Sequence, residues 1–269
     1  MNGIHKLAAA LAAVMWAGAA AAHTPYVKPD QFRVEDRGPV EANTAYSTSI
    51  FTPTVGMSAE GVALFDPDGQ RIGYASVTVG ESDTTLVANL PRDGTYRLST
   101  GEHLGEISRM VLDQGRWRAV APGERLRRGA RTSTMQTVAL AEAYVSRGAP
   151  SRGAVDMTIG QLAIRPVTHP NEITVSGGFD LDLLFHDAPF AFMPFVLYPP
   201  GQSEDDMSRV FVTDEHGRAH IRFDQPGVYL AVVRYRTPAP RQGRAQVLSF
   251  STSITFEVKP DPAPEPEWE

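Results

Sequence analysis

An all-β chain built as two β-sandwich domains in tandem is what this sequence predicts, and three observations carry the reading. Short runs of β-branched and aromatic residues recur along almost the whole length. Turn chemistry separates many of them, as in "DPDG" at Asp66–Gly69, "PRDG" at Pro91–Gly94 and "DQG" at Asp113–Gly115. No stretch of ordinary helix length shows the periodicity of an amphipathic helix. Strands spaced in this way are the pattern of sandwiches.

Residues 1–22 read as a secretory signal peptide. Lys6 supplies the positive start, Leu7–Ala19 is an apolar run, and small residues follow it. The run is too short for a spanning helix. Cuts after Ala19, Ala20, Ala21 or Ala22 all satisfy the small-x-small rule. The first sandwich is expected over residues 23–146, from strands such as "AYSTSIFT" (Ala45–Thr52), "TTLVANL" (Thr84–Leu90), "TYRLST" (Thr95–Thr100) and "TMQTVALAEAYVS" (Thr134–Ser146). At "SRGAPSRGA" (Ser146–Ala154) Gly, Pro and Arg replace apolar alternation, so residues 147–160 are expected to be a connector. The second sandwich is expected over 161–258, from "QLAIRPV", "DLDLLF", "FMPFVLY", "SRVFVT", "AHIRF", "VYLAVVRYR" and "LSFSTSITFEV". The Pro-rich, acidic end, 259–269, is expected to be a disordered tail.

The halves echo each other weakly. "LPRDGTYRL" and "FDQPGVYLA" both place a Gly two residues before a Tyr that opens a strand, matching Gly94 and Tyr96 with Gly227 and Tyr229. The Gly would turn the chain, and the Tyr would pack with its hydroxyl on a backbone partner.

Composition excludes several functions. There is no cysteine, hence no disulfide, thiolate metal site, thiol catalysis or lipid-anchor cysteine. A formal net charge of −6 makes a poor nucleic-acid binder. With the signal peptide and no second apolar span, the expected location is an exported compartment, a periplasm, with the chain not embedded in a membrane.

The segments "AHTPYVKPDQFRV", "GTYRLSTGEHLG", "AEAYVSRGAP", "LAIRPVTHPNEI" and "DEHGRAHIRFDQPGVYLAVVRY" resemble a family of exported bacterial proteins. It is a domain-of-unknown-function family, often labelled periplasmic components of nickel or cobalt uptake and also found beside iron-uptake genes. The likeness spans most of the chain after the signal peptide. It implies an immunoglobulin-like or transthyretin-like sandwich, a histidine soon after the signal peptide, and a link to transition-metal acquisition. "HDAPFAFMPF" (His186–Phe195) departs from the family pattern.

The residues themselves direct attention to His23. If the exported chain begins there, its α-amine and its imidazole Nδ1 can close a six-membered chelate on a divalent ion, and both titrate near neutral pH. Pro25 has no N–H, which blocks continued wrapping of backbone amides and favours a distant histidine as the next ligand. His169, His216 and His220 are the candidates carried forward, with His103 and His186 read as structural or solvent-facing. Nitrogen ligands suit copper or nickel; the resemblance favours nickel or cobalt, and iron is a further option. Asp180 and Asp182, alternating with Phe179, Leu181 and Leu183, read as a solvated strand face. The segment Arg116–Arg131 holds six arginines against one glutamate and reads as a solvated loop or docking patch. The aromatic run Phe185–Tyr198 reads as sandwich core. No nucleophile elbow, zincin, phosphate-loop or dinucleotide motif is present. The expected function is therefore non-enzymatic: an auxiliary protein in metal acquisition, binding an ion or docking to a membrane transporter or outer-membrane receptor. The alternative is an interaction module with no metal.

Overall fold

The computed structural model describes residues 23–36 and 38–262. The expected signal peptide and residues 263–269 of the expected tail lie outside the described residues. The first half runs through β1 (Thr24–Pro29), β2 (Arg33–Val34), β3 (Pro39–Ser47), β4 (Val55–Gly56), β5 (Ala63–Phe65) and β6 (Arg71–Ile72). It continues with β7 (Ser76–Val79), β8 (Thr84–Asn89), β9 (Gly94–Ser99), β10 (His103–Asp113), β11 (Arg116–Ala119) and β12 (Thr132–Arg147). The second half supplies β13 (Leu162–Pro166), β14 (Phe179–Phe185), β15 (Ala188–Pro189) and β16 (Pro194–Tyr198). After these come β17 (Val210–Val212), β18 (Arg218–Ile221), β19 (Gly227–Pro238) and β20 (Val247–Val258). No helix occurs among the described residues.

Three sheets result. One is ordered β1-β3-β8-β7, with β4 on β3; another is β13-β14-β15, with β18 on β14. Between them lies an 11-stranded sheet whose main path is β17-β16-β19-β20-β12-β9-β5-β6. The seam of this central sheet is a parallel pairing of β12 with β20, from Met135↔Val247 to Ala143↔Thr255. On either side of the seam the order is the same: β12 takes β9, then β5 and β6, while β20 takes β19, then β16 and β17. In the first half β1-β3-β8-β7 faces β5-β9-β12, the order of an immunoglobulin constant-type sandwich. The second half repeats it with β13-β14-β18 facing β16-β19-β20.

A parallel seam has a physical consequence. The operation that maps β12 onto β20 while keeping strand direction is a two-fold turn along the strands, and that turn exchanges the faces of the sheet. The two cores accordingly lie on opposite faces. Val27, Val40, Leu64, Leu86, Tyr96 and Leu98 pack with Ala141, Ala143 and Val145 of β12. The neighbouring positions Val138 and Tyr144 instead join Leu162, Phe179, Leu197, Tyr229 and Phe256. From Val138 to Val145, where it is buried on both faces, β12 reads as an apolar run interrupted only by Glu142.

Both ends of the interdomain reading are more tightly bound than expected. In the expected connector, Ala154 and Val155 are buried, and the Met157 carbonyl accepts from Arg97. The expected tail is fixed through its first residues. Lys259 N–H donates to Ile173 O (2.9 Å), and the Asp261 carboxylate accepts from Ser176 N–H (2.8 Å). The start of the chain crosses to the second half, where Tyr26, Ala45 and Ile50 pack on Val196, Tyr198, Leu230 and Val232.

Candidate functional site

His23 stands at the head of β1, half-buried, and its Nδ1 is enclosed with no hydrogen-bond partner. The strand beyond it is firmly held. Thr24 pairs with Ser47 of β3, and its hydroxyl donates to the Glu204 carboxylate (2.9 Å) while accepting from Arg234 (2.5 Å). Tyr198 donates to the Glu204 carbonyl (2.8 Å), and the Pro25 carbonyl accepts from Ser253 (2.6 Å). Ser251 is the register partner of Arg234. Its hydroxyl has no partner, nor has that of Ser47, although both residues are buried. Native interiors hold few enclosed polar atoms without partners, so each of these is a candidate contact for a ligand. Arg236, next along β19, is held below its usual pKa by burial and by Arg234.

His169 is a different kind of residue. It is 6% exposed, and its Nδ1 accepts the Asn171 N–H (3.2 Å), which leaves the ring proton on Nε2 facing Ser151 O (3.1 Å) and Thr95 Oγ1 (3.0 Å). Thr95 and Ser146 hydroxyls meet at 2.8 Å, Ser146 donates to Asn171 Oδ1, and Asn171 donates to Phe32 O and Tyr144 O. Every group in this chain has its partner. Burial pushes the His169 pKa down, against smaller opposing contributions from the Ser151 backbone and Glu172. Its geometry is that of a neutral histidine stapling β9 and the segment after β12 to the turn that carries Asn171.

His216 lies in the exposed turn after β17, 3.7 Å from Glu215. His220 sits on β18 opposite Asp180, with Nδ1 2.8 Å from Asp180 Oδ1. The two histidines therefore occupy a turn and a strand, and His23 and His169 lie at other places. Among the described residues, no group of three or more His, Cys, Asp or Glu stands close enough to hold a metal ion. His103 is half-buried, with Nε2 enclosed and its pKa lowered by burial. His186 and Asp187, both at positive φ, form the two-residue turn between β14 and β15.

Asp180 and Asp182 do not share a solvated face. Asp180 is exposed, but the Asp182 side chain is 6% exposed and takes Arg165 at 2.6 Å. Within Arg116–Arg131, Arg118 is bound by Asp113 of β10 and by Glu124. The aromatic run contributes Phe195 and Tyr198 to the interior, and Phe185 and Phe190 to a cluster around Tyr235. Sequence reasoning passed over the Arg97–Glu142 pair, each 1% exposed and joined by two bonds of 2.8 and 2.6 Å. It also passed over Glu204. The signal for the pair was present: a lone Arg in "TYRLST" and a lone Glu in "LAEAYV", each inside an apolar strand.

Comparison with known proteins adds the following. The chain is similar to the D0-D1 domain of Intimin, at 11% identity over 86% of this chain and 96% of that one, with a TM-score of 0.24. It is also similar to murine CEACAM1b, at 10% identity over 88% of this chain and 100% of that one, with a TM-score of 0.22. No curated protein sequence matches. A family model, Domain of unknown function (DUF4198), matches residues 20–237, and the chain belongs to that family.

Proposed function

We propose that this protein is an exported, periplasmic auxiliary factor in transition-metal acquisition that takes a divalent ion at His23. The observation that supports the reading most is the enclosed, unpartnered Nδ1 of His23 at the head of β1. Unpaired polar atoms withdrawn from water are costly, and a bound ion or its water ligands would satisfy them. In a chain cut before His23 the α-amine would join Nδ1 in one chelate. The backbone would add nothing more, because Pro25 has no N–H and β1 is already paired with β3. Further ligands would come from side chains or water. Glu204 is the carboxylate that reaches this strand, through Thr24. His169, both of whose nitrogens are engaged, is not the partner histidine in this scheme. Nickel or cobalt follows from the resemblance, and copper from the nitrogen donors.

The test begins with the intact mass and N-terminal residue of protein recovered from the exported fraction. A chain starting at His23 should bind nickel, cobalt or copper with submicromolar affinity by calorimetry, and His23→Ala should lose it. A start upstream of His23, or equal binding by the variant, would overturn the reading.

A further inference from the structure

Between β9 and β12 the chain builds an arm on the central sheet. β10 pairs with the first half of β12, from His103↔Ala139 to Val111↔Thr132, and β11 pairs only with β10. The return from β11 is held by Val120 N–H to Arg109 O (2.8 Å) and closed by Leu112 N–H to Arg131 O (3.0 Å). The arm is therefore a fixed part of the fold, with Met110 and Val111 buried.

Its charges are not balanced. Residues 109–131 carry seven arginines against two carboxylates, Asp113 and Glu124. Arg118 takes both: its Nε donates to Asp113 (3.0 Å), and its Nη2 donates to Glu124 (2.7 Å). Arg109, Arg116, Arg125, Arg127, Arg128 and Arg131 are exposed, and among the described residues none of their guanidiniums has an ion pair or hydrogen bond. A second element adds to them. Thr134, the register partner of Arg109, accepts the Gln246 N–H (3.1 Å). That bond seats the β19–β20 turn, with its exposed Arg241 and Arg244, at the same end of the central sheet. A chain of net charge −6 has carboxylates enough, and elsewhere it pairs them with arginine, as in Arg92–Asp66, Arg152–Asp156 and Arg165–Asp182. Here the guanidiniums stand uncompensated, an arrangement that repels itself and stabilises nothing within the chain.

We propose that this end of the molecule docks on the surface of an anionic phospholipid bilayer. The planar guanidinium matches phosphate oxygens with two parallel bonds, and several on one surface reach many headgroups at once. What the arm lacks fixes the occupant as much as what it has. None of the large hydrophobic residues exposed among the described residues lies within 105–131. A protein partner is gripped by anchors packed in desolvated pockets, which an arm with no exposed large hydrophobic residue does not frame. A headgroup layer asks only for charge. The acidic remainder of the chain is repelled by the same surface, which turns the arm toward it. The inference stands independently of a metal at His23.

The test uses the chain from His23 onward and vesicles of phosphatidylcholine with or without phosphatidylglycerol, separated by sedimentation. The protein should bind the phosphatidylglycerol vesicles, ignore the others, and be released at about 0.5 M salt. R127S with R128S should fold, since both side chains are exposed, and should weaken binding roughly 25-fold, about fivefold for each arginine. R33S with R222S removes the same charge away from the arm, with Arg33 beside Ser146 at the far end of β12, and should leave binding unchanged. Thermal unfolding checks that both variants keep the fold. No binding to the phosphatidylglycerol vesicles, unchanged binding by R127S with R128S, or equal losses in the two variants would each overturn the proposal. So would tighter binding to poly-glutamate than to the vesicles at equal charge concentration, which would assign the arm to an acidic protein.

Discussion

Tyr96 and Tyr229 make the same bond on opposite faces of one sheet. Each hydroxyl donates to the carbonyl four residues upstream, Tyr96 to Arg92 at 2.9 Å and Tyr229 to Gln225 at 3.0 Å. Each follows a glycine at positive φ, Gly94 and Gly227. At Gly94 a Cβ would meet Pro67 at 2.5 Å, so the close approach as well as the dihedral requires glycine there. The corners show that the halves are built to one plan, with the faces exchanged by the parallel seam.

The corners are not equal in strength, because the Tyr96 hydroxyl also accepts the Arg92 N–H (3.1 Å). Tyr229→Phe removes one net hydrogen bond and should cost about 1 kcal/mol. Tyr96→Phe additionally strands a part-buried amide donor and should cost about 1–3 kcal/mol. Urea unfolding of the two variants settles the order, and a Tyr229→Phe loss larger than that of Tyr96→Phe contradicts it.

Arg97 and Glu142 join neighbouring strands of the central sheet beneath the segment that carries Met157. Removing either partner leaves a charge in the interior. Arg97→Ala or Glu142→Ala should therefore destabilise by roughly 3–5 kcal/mol. Replacing both together with Met and Leu should cost less than either single change, since desolvation offsets much of the pair's attraction. A double variant less stable than both singles would show that the pair itself, rather than the avoidance of a lone charge, holds the fold.

Much of this architecture was legible because it is local. Turns such as Asp66–Gly69 and strands such as Thr84–Asn89 announce themselves by residue type, and the Gly–Tyr spacing exposed the repeated corner. The fused sheet was not legible in that way. Met135 meets Val247 across a long stretch of sequence, and alternation within either strand says nothing about which distant strand it joins. The one trace was "VALAEAYV", too continuously apolar for a strand with a wet face. The site divides along the same line. His23 was visible from its place in the sequence, whereas Glu204 and Arg234 reach the neighbouring Thr24 only through tertiary packing. His169 looked like a ligand in its turn, and only the fold reveals the hydroxyls that occupy its ring.

The His169 network makes stability depend on pH. Its folded pKa lies below the ordinary value of 6.5, so the unfolded chain binds a proton that the folded chain refuses. The contribution is fully present above about pH 6.5 and is lost as pH falls toward the folded pKa. Unfolding free energy measured between pH 7.5 and 5 should decline on the acid side. His169→Gln should be less stable at neutral pH and show a shallower decline, the remainder including His103, whose pKa burial also lowers. A slope identical to that of the unmodified protein would remove His169 from the account.

Ser47 and Ser251 test how far the proposed ion site extends beyond His23. Both hydroxyls are enclosed and unpartnered, so in the metal-free protein Ser47→Ala or Ser251→Ala sheds a desolvated group and breaks no bond. Stability should change by less than about 0.5 kcal/mol, or rise. Glu204→Ala is the contrast, since it leaves the Thr24 hydroxyl proton without its acceptor and removes the carboxylate facing Arg234, and it should cost about 1–3 kcal/mol. If the ion bound at His23 also engages these hydroxyls, the serine variants should nonetheless weaken its binding several-fold while leaving the metal-free protein as stable as before. Calorimetric titration beside thermal unfolding separates the two effects. Serine variants that leave metal affinity untouched would confine the site to the amine and imidazole of His23.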